Sequence, residues 1–342
     1  MARRARATMS EIAAAAGVSV PTVSKVVNGR PDVAPATRRT IEGLLHKHGY
    51  TSVRSRSTTR QGLIELVFID LGSPWAMAIL AGVEEVASRA GTGVVVSAIH
   101  GRHRTRPDER WLETVAARRS DGVLLVLSEL SPGQQARLDA LGVPVVMVDP
   151  AGNPTPGSRS VGATNWSGGL AAAEHLIELG HRRIAVIGGP TDVMCSRARV
   201  DGFKAAMGNA GLAIPDGYVR YGDFLSASGY QQTMALLDLK EPPTAVFVCS
   251  DQMALGAYEA LYERGLRVPD DVSIVGFDDL DEARWAIPPL TTVRQPLTEM
   301  AAMATQMLLS LINGEELETT RVELATPLVV RASTDRPSPR RS

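Results

Sequence analysis

Apolar positions along the chain fall into two regimes. In the first fifty residues they recur at helical spacing, with Ile12, Ala13 and Ala16 on one face, Val23, Val26 and Val27 on a second, and Ile41, Leu44 and Leu45 on a third. The pattern predicts three short helices around one small core. Thr8 with Glu11 reads as a capping box opening the first helix. Gly17 offers the backbone freedom of a sharp turn, and Ser19 caps the second helix with Pro21 in its first turn. The third begins at Ala34-Pro35, with no side-chain oxygen at its cap, and ends near His48-Gly49.

From Leu63 the regime changes. Continuous apolar runs at 63–69, 93–98, 122–127 and 143–148 alternate with amphipathic spans predicted as helices at 75–90, 110–118 and 132–141. The theme restarts with helices at 167–179, 196–210, 226–239 and 251–264, and runs at 184–188, 244–248 and 273–277. Alternation of this kind builds parallel sheets covered on both faces, and two such half-chains predict two similar α/β lobes with a cleft between them. Residues 51–62 separate the regimes, being polar, basic and without core-forming spacing. Residues 331–342, rich in Pro, Ser and Arg, are predicted to fray.

Charge sharpens this picture. Of the 36 Lys and Arg in the 342 residues, 11 lie in residues 1–60, against only three of the 37 Asp and Glu, so the net charge of −1 conceals a basic head on an acidic body. That suits a nucleic-acid reader, whose head neutralises phosphates while its body repels them, and points away from a membrane partner. The basic N-terminus lacks the apolar core of a signal peptide and no apolar run reaches membrane-spanning length, so a cytoplasmic location is expected. Cys195 and Cys249 lie far apart in apolar contexts and are predicted to be free core thiols.

On the second helix, Val20, Pro21, Thr22, Ser24, Lys25 and Asn28 remain outward once the valines are buried. They are small, polar or cationic side chains that fit a major groove. Residues 13–28, AAAAGVSVPTVSKVVN, follow the pattern A-x-x-A-G-V-S-x-x-T-V-S-[KR]-V-[VL]-N and resemble the headpiece of the lactose-repressor/galactose-repressor family. The resemblance continues through Gly180-His181-Arg182-Arg183-Ile184-Ala185, Ser250-Asp251-Gln252-Met253-Ala254-Leu255-Gly256, Ser273-Ile274-Val275-Gly276-Phe277-Asp278-Asp279 and Pro288-Pro289-Leu290-Thr291-Thr292-Val293. It implies an all-α helix-turn-helix headpiece at 1–50, a hinge at 51–62 and a two-lobed periplasmic-binding-protein-like α/β body at 63–332. Lobe 1 would span about 63–165 and 295–323, and lobe 2 about 166–294 and 324–332, with a disordered tail at 333–342. The expected DNA contacts are Thr8, Ser19, Val20, Pro21, Thr22, Ser24, Lys25 and Asn28, joined by Arg54 and Arg56 of the hinge. The family's hinge inserts a leucine into the minor groove; here Ser57-Thr58-Thr59 stands in its place, so weaker bending is expected.

In parallel α/β sheets ligands bind beyond the carboxyl ends of the strands. The residues directly after the apolar runs include Asp70, the Ser73-Pro74-Trp75 loop, Asp149, Ser250, Asp251 and Asp278. Carboxylates with an arginine and an aromatic plate make a sugar site, the charged groups clamping hydroxyls and the ring covering a pyranose face. By the resemblance, Asp149, Arg199, Phe224, Ser250 and Asp278 fall where the family contacts its effector, and Trp75 is added as the plate. Asp251 and Asp279 read as loop braces, and Arg197 as solvated.

Enzyme chemistry finds no footing. His100 and His103 lack further ligands for a metal, Ser167-Gly168-Gly169 is no nucleophile elbow, and Gly188-Gly189-Pro190 lacks dinucleotide-loop spacing, so neither catalysis nor a cofactor is expected. The sequence predicts a homodimeric repressor of carbohydrate-utilisation genes that binds palindromic operator DNA under control of a mono- or oligosaccharide. Two readings stay open beside it: a sugar-binding or sugar-modifying protein that does not act on DNA, and a repressor with a nucleobase co-repressor.

Overall fold

The computed structural model describes residues 9–27, 33–47, 61–99, 106–152 and 157–338, and the chain divides into two units, 1–61 and 62–342. In the first unit, α1 (Met9–Ala16), α2 (Val20–Val27) and α3 (Pro35–Lys47) close around Ile12, Ala13, Val23, Val26, Val33 and Ile41, all buried. Gly17 adopts φ +65°, the left-handed turn that folds α1 onto α2 and that a Cβ would strain. Ser19 Oγ accepts from Thr22 N at 3.4 Å, and the Ser19 carbonyl receives Val23 N at 3.2 Å, so this serine starts α2. Thr8, Asn28, Arg54, Arg56 and the hinge stretch 51–60 lie outside the described residues, as does the turn holding His100 and His103.

The second unit contains two six-stranded sheets. The first lobe is assembled from β1 (Leu63–Phe68), α4 (Pro74–Arg89), β2 (Gly93–Ala98), α5 (Glu109–Arg118), β3 (Gly122–Val126), α6 (Pro132–Leu141), β4 (Val145–Val148) and β5 (Ser160–Ala163). The second follows with α7 (Asn165–Glu178), β6 (Ile184–Gly188), α8 (Met194–Asn209), β7 (Val219–Tyr221), α9 (Ser226–Leu237), β8 (Ala245–Val248), α10 (Asp251–Glu263), β9 (Ser273–Asp278), α11 (Asp281–Trp285) and β10 (Thr291–Arg294). The chain then returns to the first lobe as α12 (Leu297–Ile312) and β11 (Arg321–Leu324) and ends in the second with β12 (Leu328–Val329). Strand order is β11-β5-β4-β3-β1-β2 in one sheet and β12-β10-β9-β8-β6-β7 in the other. All pairs are parallel except β10 with β12.

Buried apolar residues explain the layers. Ile64, Leu66 and Phe68 of β1 join Ile79 and Val83 of α4 and Met300 and Leu308 of α12 in one cluster. Val67, one step out of phase, joins Leu112 and Val115 of α5 and Leu138 of α6 in another. In the second lobe α7 lies so close to α8 that a Cβ on Gly169 would stand 2.1 Å from the Arg199 carbonyl oxygen, and one on Gly202 2.1 Å from that of Trp166. Only glycine permits this approach, which fixes α8 and the arginine it carries.

Residues 333–338 correct the expectation of a disordered tail from 333 on. Ser333 Oγ accepts from Thr291 N (2.8 Å) and donates to the Ile274 carbonyl (2.6 Å), and Asp335 N donates to Ser273 Oγ (3.1 Å). Buried His181 pairs with Thr244 Oγ1, Ser273 Oγ and the Asp335 carbonyl, and His175 with Thr334. Composition misled because serine, threonine and aspartate here find partners on a sheet end that composition does not reveal. Also missed were the short strands β5, β7, β10, β11 and β12 and the five-residue α11, too brief to show a period.

Candidate functional site

In the headpiece the outward face of α2 carries Ser19, Val20, Pro21 and Lys25 in solvent, with Thr22 and Ser24 half-buried beside the valine core. Ser19 Oγ and Thr22 Oγ1 lie 2.9 Å apart. The apolar stripe of α2 dictates this orientation, because Val23 and Val26 cannot face the core without turning Val20, Pro21 and Lys25 away from it.

In the body, two of the three passages of the chain between the lobes lie at Thr164-Asn165 and at Gln295-Pro296, and side chains from these two converge on one guanidinium. Arg199, on α8 and 3% exposed, donates from Nε to Asn165 Oδ1 (2.8 Å), from Nη1 to the Cys249 carbonyl (2.8 Å) and Asp278 Oδ1 (3.5 Å), and from Nη2 to Gln295 Oε1 (3.2 Å). Its carbon stands 3.7 Å from the ring centre of Phe277 and 5.9 Å from that of Phe224, a cation–π seat. Asp149, directly after β4, accepts from Asn165 Nδ2 (3.3 Å) and Gln295 Nε2 (3.4 Å). Trp75, in the first turn of α4, donates its indole N–H to Gln295 Oε1 (3.2 Å). Ser250 caps α10 by accepting from Met253 N and donates to the Phe224 carbonyl (3.3 Å).

Trp75, Asp149, Arg199, Phe224, Ser250 and Asp278 thus occupy one region, linked directly or through one residue. Asn165, Gln295 and Phe277 belong to the same network and were not singled out from sequence. The signal was there in part, since the crossovers fall at Asn165 and beside Arg294, and an amide at a crossover can bond groups from both lobes. Asp251 and Asp279 act as braces. Asp251 accepts from Leu280 N (2.9 Å) and Thr292 Oγ1 (2.6 Å), while Asp279 pairs with Arg331. Arg197 is exposed and donates to the Thr191 carbonyl, and Asp70 turns its carboxylate onto Gly72 N in the exposed loop. Both cysteines are free and buried.

Of the six non-glycine residues with positive φ among those described, four lie here, Arg119 and Leu127 being the others. Asp149 (φ 47°), Phe224 (φ 69°), Asp278 (φ 121°) and Asp279 (φ 59°) all hold conformations that L-residues avoid. Such outliers persist only where surroundings over-determine them, and they mark sites whose side-chain aim matters. The electrostatics agree. Burial pushes the Asp278 carboxyl up to about 7 although Arg199 pulls it down, with Asp149 adding to the rise. Burial likewise raises Asp149 against the pull of Arg199. Burial opposes the charge on Arg199, yet the surrounding acids hold its affinity for a proton above the ordinary value.

Asp278 and Gln295 also line a groove of about 900 Å³ bounded on one side by Leu71, Pro74 and Met77 and on the other by Leu280, Arg284 and Trp285. The arrangement offers fixed donors and acceptors beside aromatic surfaces. Among the described residues there is no cluster of His, Cys, Asp and Glu fit to hold a metal ion, and no helix is long and apolar enough to cross a membrane.

Known proteins match the chain in both of its units. Residues 8–52 match the family described as bacterial regulatory proteins, lacI family, and residues 173–334 match the periplasmic binding protein-like domain. The chain is 36% identical to the ribose operon repressor of Escherichia coli (strain K12) over 332 residues, covering 96% of this chain and 99% of that protein. It is 37% identical over 342 residues to the HTH-type transcriptional regulator CelR of Thermobifida fusca, covering 97% and 100%. A solved CelR–cellobiose complex superposes with a TM-score of 0.73 at 36% identity, covering 96% of this chain and all of that one. A lac repressor dimer bound to operator and the anti-inducer ONPF does so with a TM-score of 0.71 at 30% identity, covering 97% and 100%.

Proposed function

The chain belongs to the lacI family of bacterial regulatory proteins, and from that premise we propose that it is a homodimeric cytoplasmic repressor of carbohydrate-utilisation genes whose affinity for a palindromic operator is set by a sugar held in the cleft of its body. On the DNA side, Val20, Pro21, Thr22, Ser24 and Lys25 of α2 read base edges and phosphates, with Thr8, Ser19, Asn28, Arg54 and Arg56 completing the contact. The relative solved as a dimer on operator DNA supports this half of the reading.

One observation carries the effector half: a single buried guanidinium bonds Asp278 of the second lobe and the amides of Asn165 and Gln295, which in turn bond Asp149 of the first lobe. A sugar hydroxyl both donates and accepts, so it exchanges readily into such a network. The exchange is easiest where the existing bonds are longest, at Arg199 to Asp278 (3.5 Å) and Gln295 to Asp149 (3.4 Å). The 2.8 Å bonds to Asn165 and the Cys249 carbonyl keep the guanidinium aimed meanwhile. Trp75 and Phe224 supply faces for the C–H side of a pyranose, and Ser250 adds a hydroxyl. The relative solved with cellobiose supports a saccharide, and no catalytic step is assigned.

The test is an electrophoretic shift on inverted repeats selected from randomised DNA, half-sites about one helical turn apart, with mono- and disaccharides and purines added in turn. Release of the DNA by a sugar is expected. Tightening by a purine instead would replace the sugar with a nucleobase co-repressor. Failure of any palindrome to shift in a salt-dependent way would leave a sugar-binding protein that does not act on DNA.

A further inference from the structure

We infer that the cleft admits only ligands free of negative charge and rejects phosphorylated sugars, a rule that rests on the effector reading above and narrows its ligand class. Three observations carry it.

Arg199, the cation at the centre, is already committed. Four of its five N–H groups are spent on Asn165, the Cys249 carbonyl, Asp278 and Gln295, so a fork of two parallel bonds to a phosphate opens only by displacing Asp278 or Gln295 and sets the anion beside the Asp278 carboxyl group. Its planar face is also taken, lying 3.7 Å from the centre of the Phe277 ring.

Around that one guanidinium stand Asp149 and Asp278, with Asp251 behind them, and all three carboxyl groups are buried. Burial first, and repulsion among the acids after it, raise the proton affinity of Asp278 and Asp251, so negative charge is already disfavoured at this place.

The groove that adjoins this network repeats the imbalance. Its lining carries Asp281, Glu282 and Glu299, together with Asp278, which faces Arg199, and Asp279, which Arg331 already pairs, against the guanidinium groups of Arg284 and Arg294. A phosphate monoester bears close to two negative charges near neutral pH and would bring them beside the buried Asp149 and Asp278, where little water screens like charges. An uncharged polyol meets none of this opposition, because its hydroxyls exchange for the network's own donors and acceptors.

The experiment is thermal-shift and calorimetric titration of the full chain with D-ribose, D-glucose and cellobiose, with ribose 5-phosphate and glucose 6-phosphate, with adenine, and with inorganic phosphate. The expected result is protection by at least one neutral sugar and, for its phosphate ester, binding weaker by about 100-fold or more. Inorganic phosphate should give no saturable binding. A phosphate ester binding as tightly as its parent sugar, or saturable binding of inorganic phosphate displaced by a sugar, overturns the rule. Protection by adenine alone would keep the charge rule and remove the sugar reading, and a panel in which nothing protects would count against both.

Discussion

On α2, Val20 is 40% exposed and Pro21 and Lys25 stand in solvent, whereas in the body Asp149, Arg199 and Asp278 are at most 5% exposed and bond to one another or to shared amides. The first surface leaves Val20, Pro21 and Lys25 exposed, which suits a polyanion that delivers its affinity through charge and counterion release. The second has already desolvated its groups and compensates them internally, which suits a small ligand recognised by the direction of its bonds. Substitutions on the reading helix should therefore produce graded, salt-dependent losses, while those in the cleft should be steep and salt-insensitive.

The steepest loss is expected for Arg199→Met. It strands Asp149 and Asp278 without their cation and breaks four hydrogen bonds, so effector response should vanish and the body should lose about 3–5 kcal/mol. Chemical unfolding and calorimetry check this, and a variant that still releases DNA with normal effector dependence would refute the central role of Arg199.

Asp278→Asn comes next, with effector affinity falling by about 2 kcal/mol while operator binding persists in its absence. The same variant tests the proton chemistry. Because the Asp278 carboxyl is raised from 3.8 to about 7 in the folded body, the folded state holds the extra proton between those values and its stability falls as pH rises through that window. Asn cannot ionise, so relative to the parent the variant should gain stability from about pH 4 to pH 7 and no further. A stability difference flat across that range would show that Asp278 does not titrate there.

The smallest change is expected at the exposed face. Lys25→Ala should weaken DNA binding and lower the salt slope by about one if it meets a phosphate, or relax one base position by about 1–3 kcal/mol if it meets a base. Exchanging Val20 or Pro21 should shift the preferred sequence, measured by selection from randomised sites. An unaltered preference would separate these two residues from base reading.

The contrast also explains what the sequence revealed. The headpiece was legible because its whole logic lies within neighbours: valines at helical spacing, one glycine between two helices, a serine cap. The two-sheet body was legible from the alternation of runs. In the cleft the carboxylates could be named because they follow strands, but their partners could not. Gln295 and Asp149 are 146 residues apart, and Arg199 and Gln295 96. No local pattern announces that an amide at a chain crossing will bond them, nor that Ser333 to Asp335 will be pinned to lobe 2.

Asn165 and Gln295 hold two offices at once, each sitting at a passage of the chain between lobes and each touching Arg199 and Asp149. Ligand taste and mechanical response are therefore inherited together at those two positions, and a substitution selected to admit a new molecule also resets the stiffness of the joint that must answer to it. Ser250 and Phe224, bonded to each other inside lobe 2, lack that double duty. For anyone refashioning this chain as a biosensor, they are the places to change what is detected, and the two amides are the places to change how loudly it is reported.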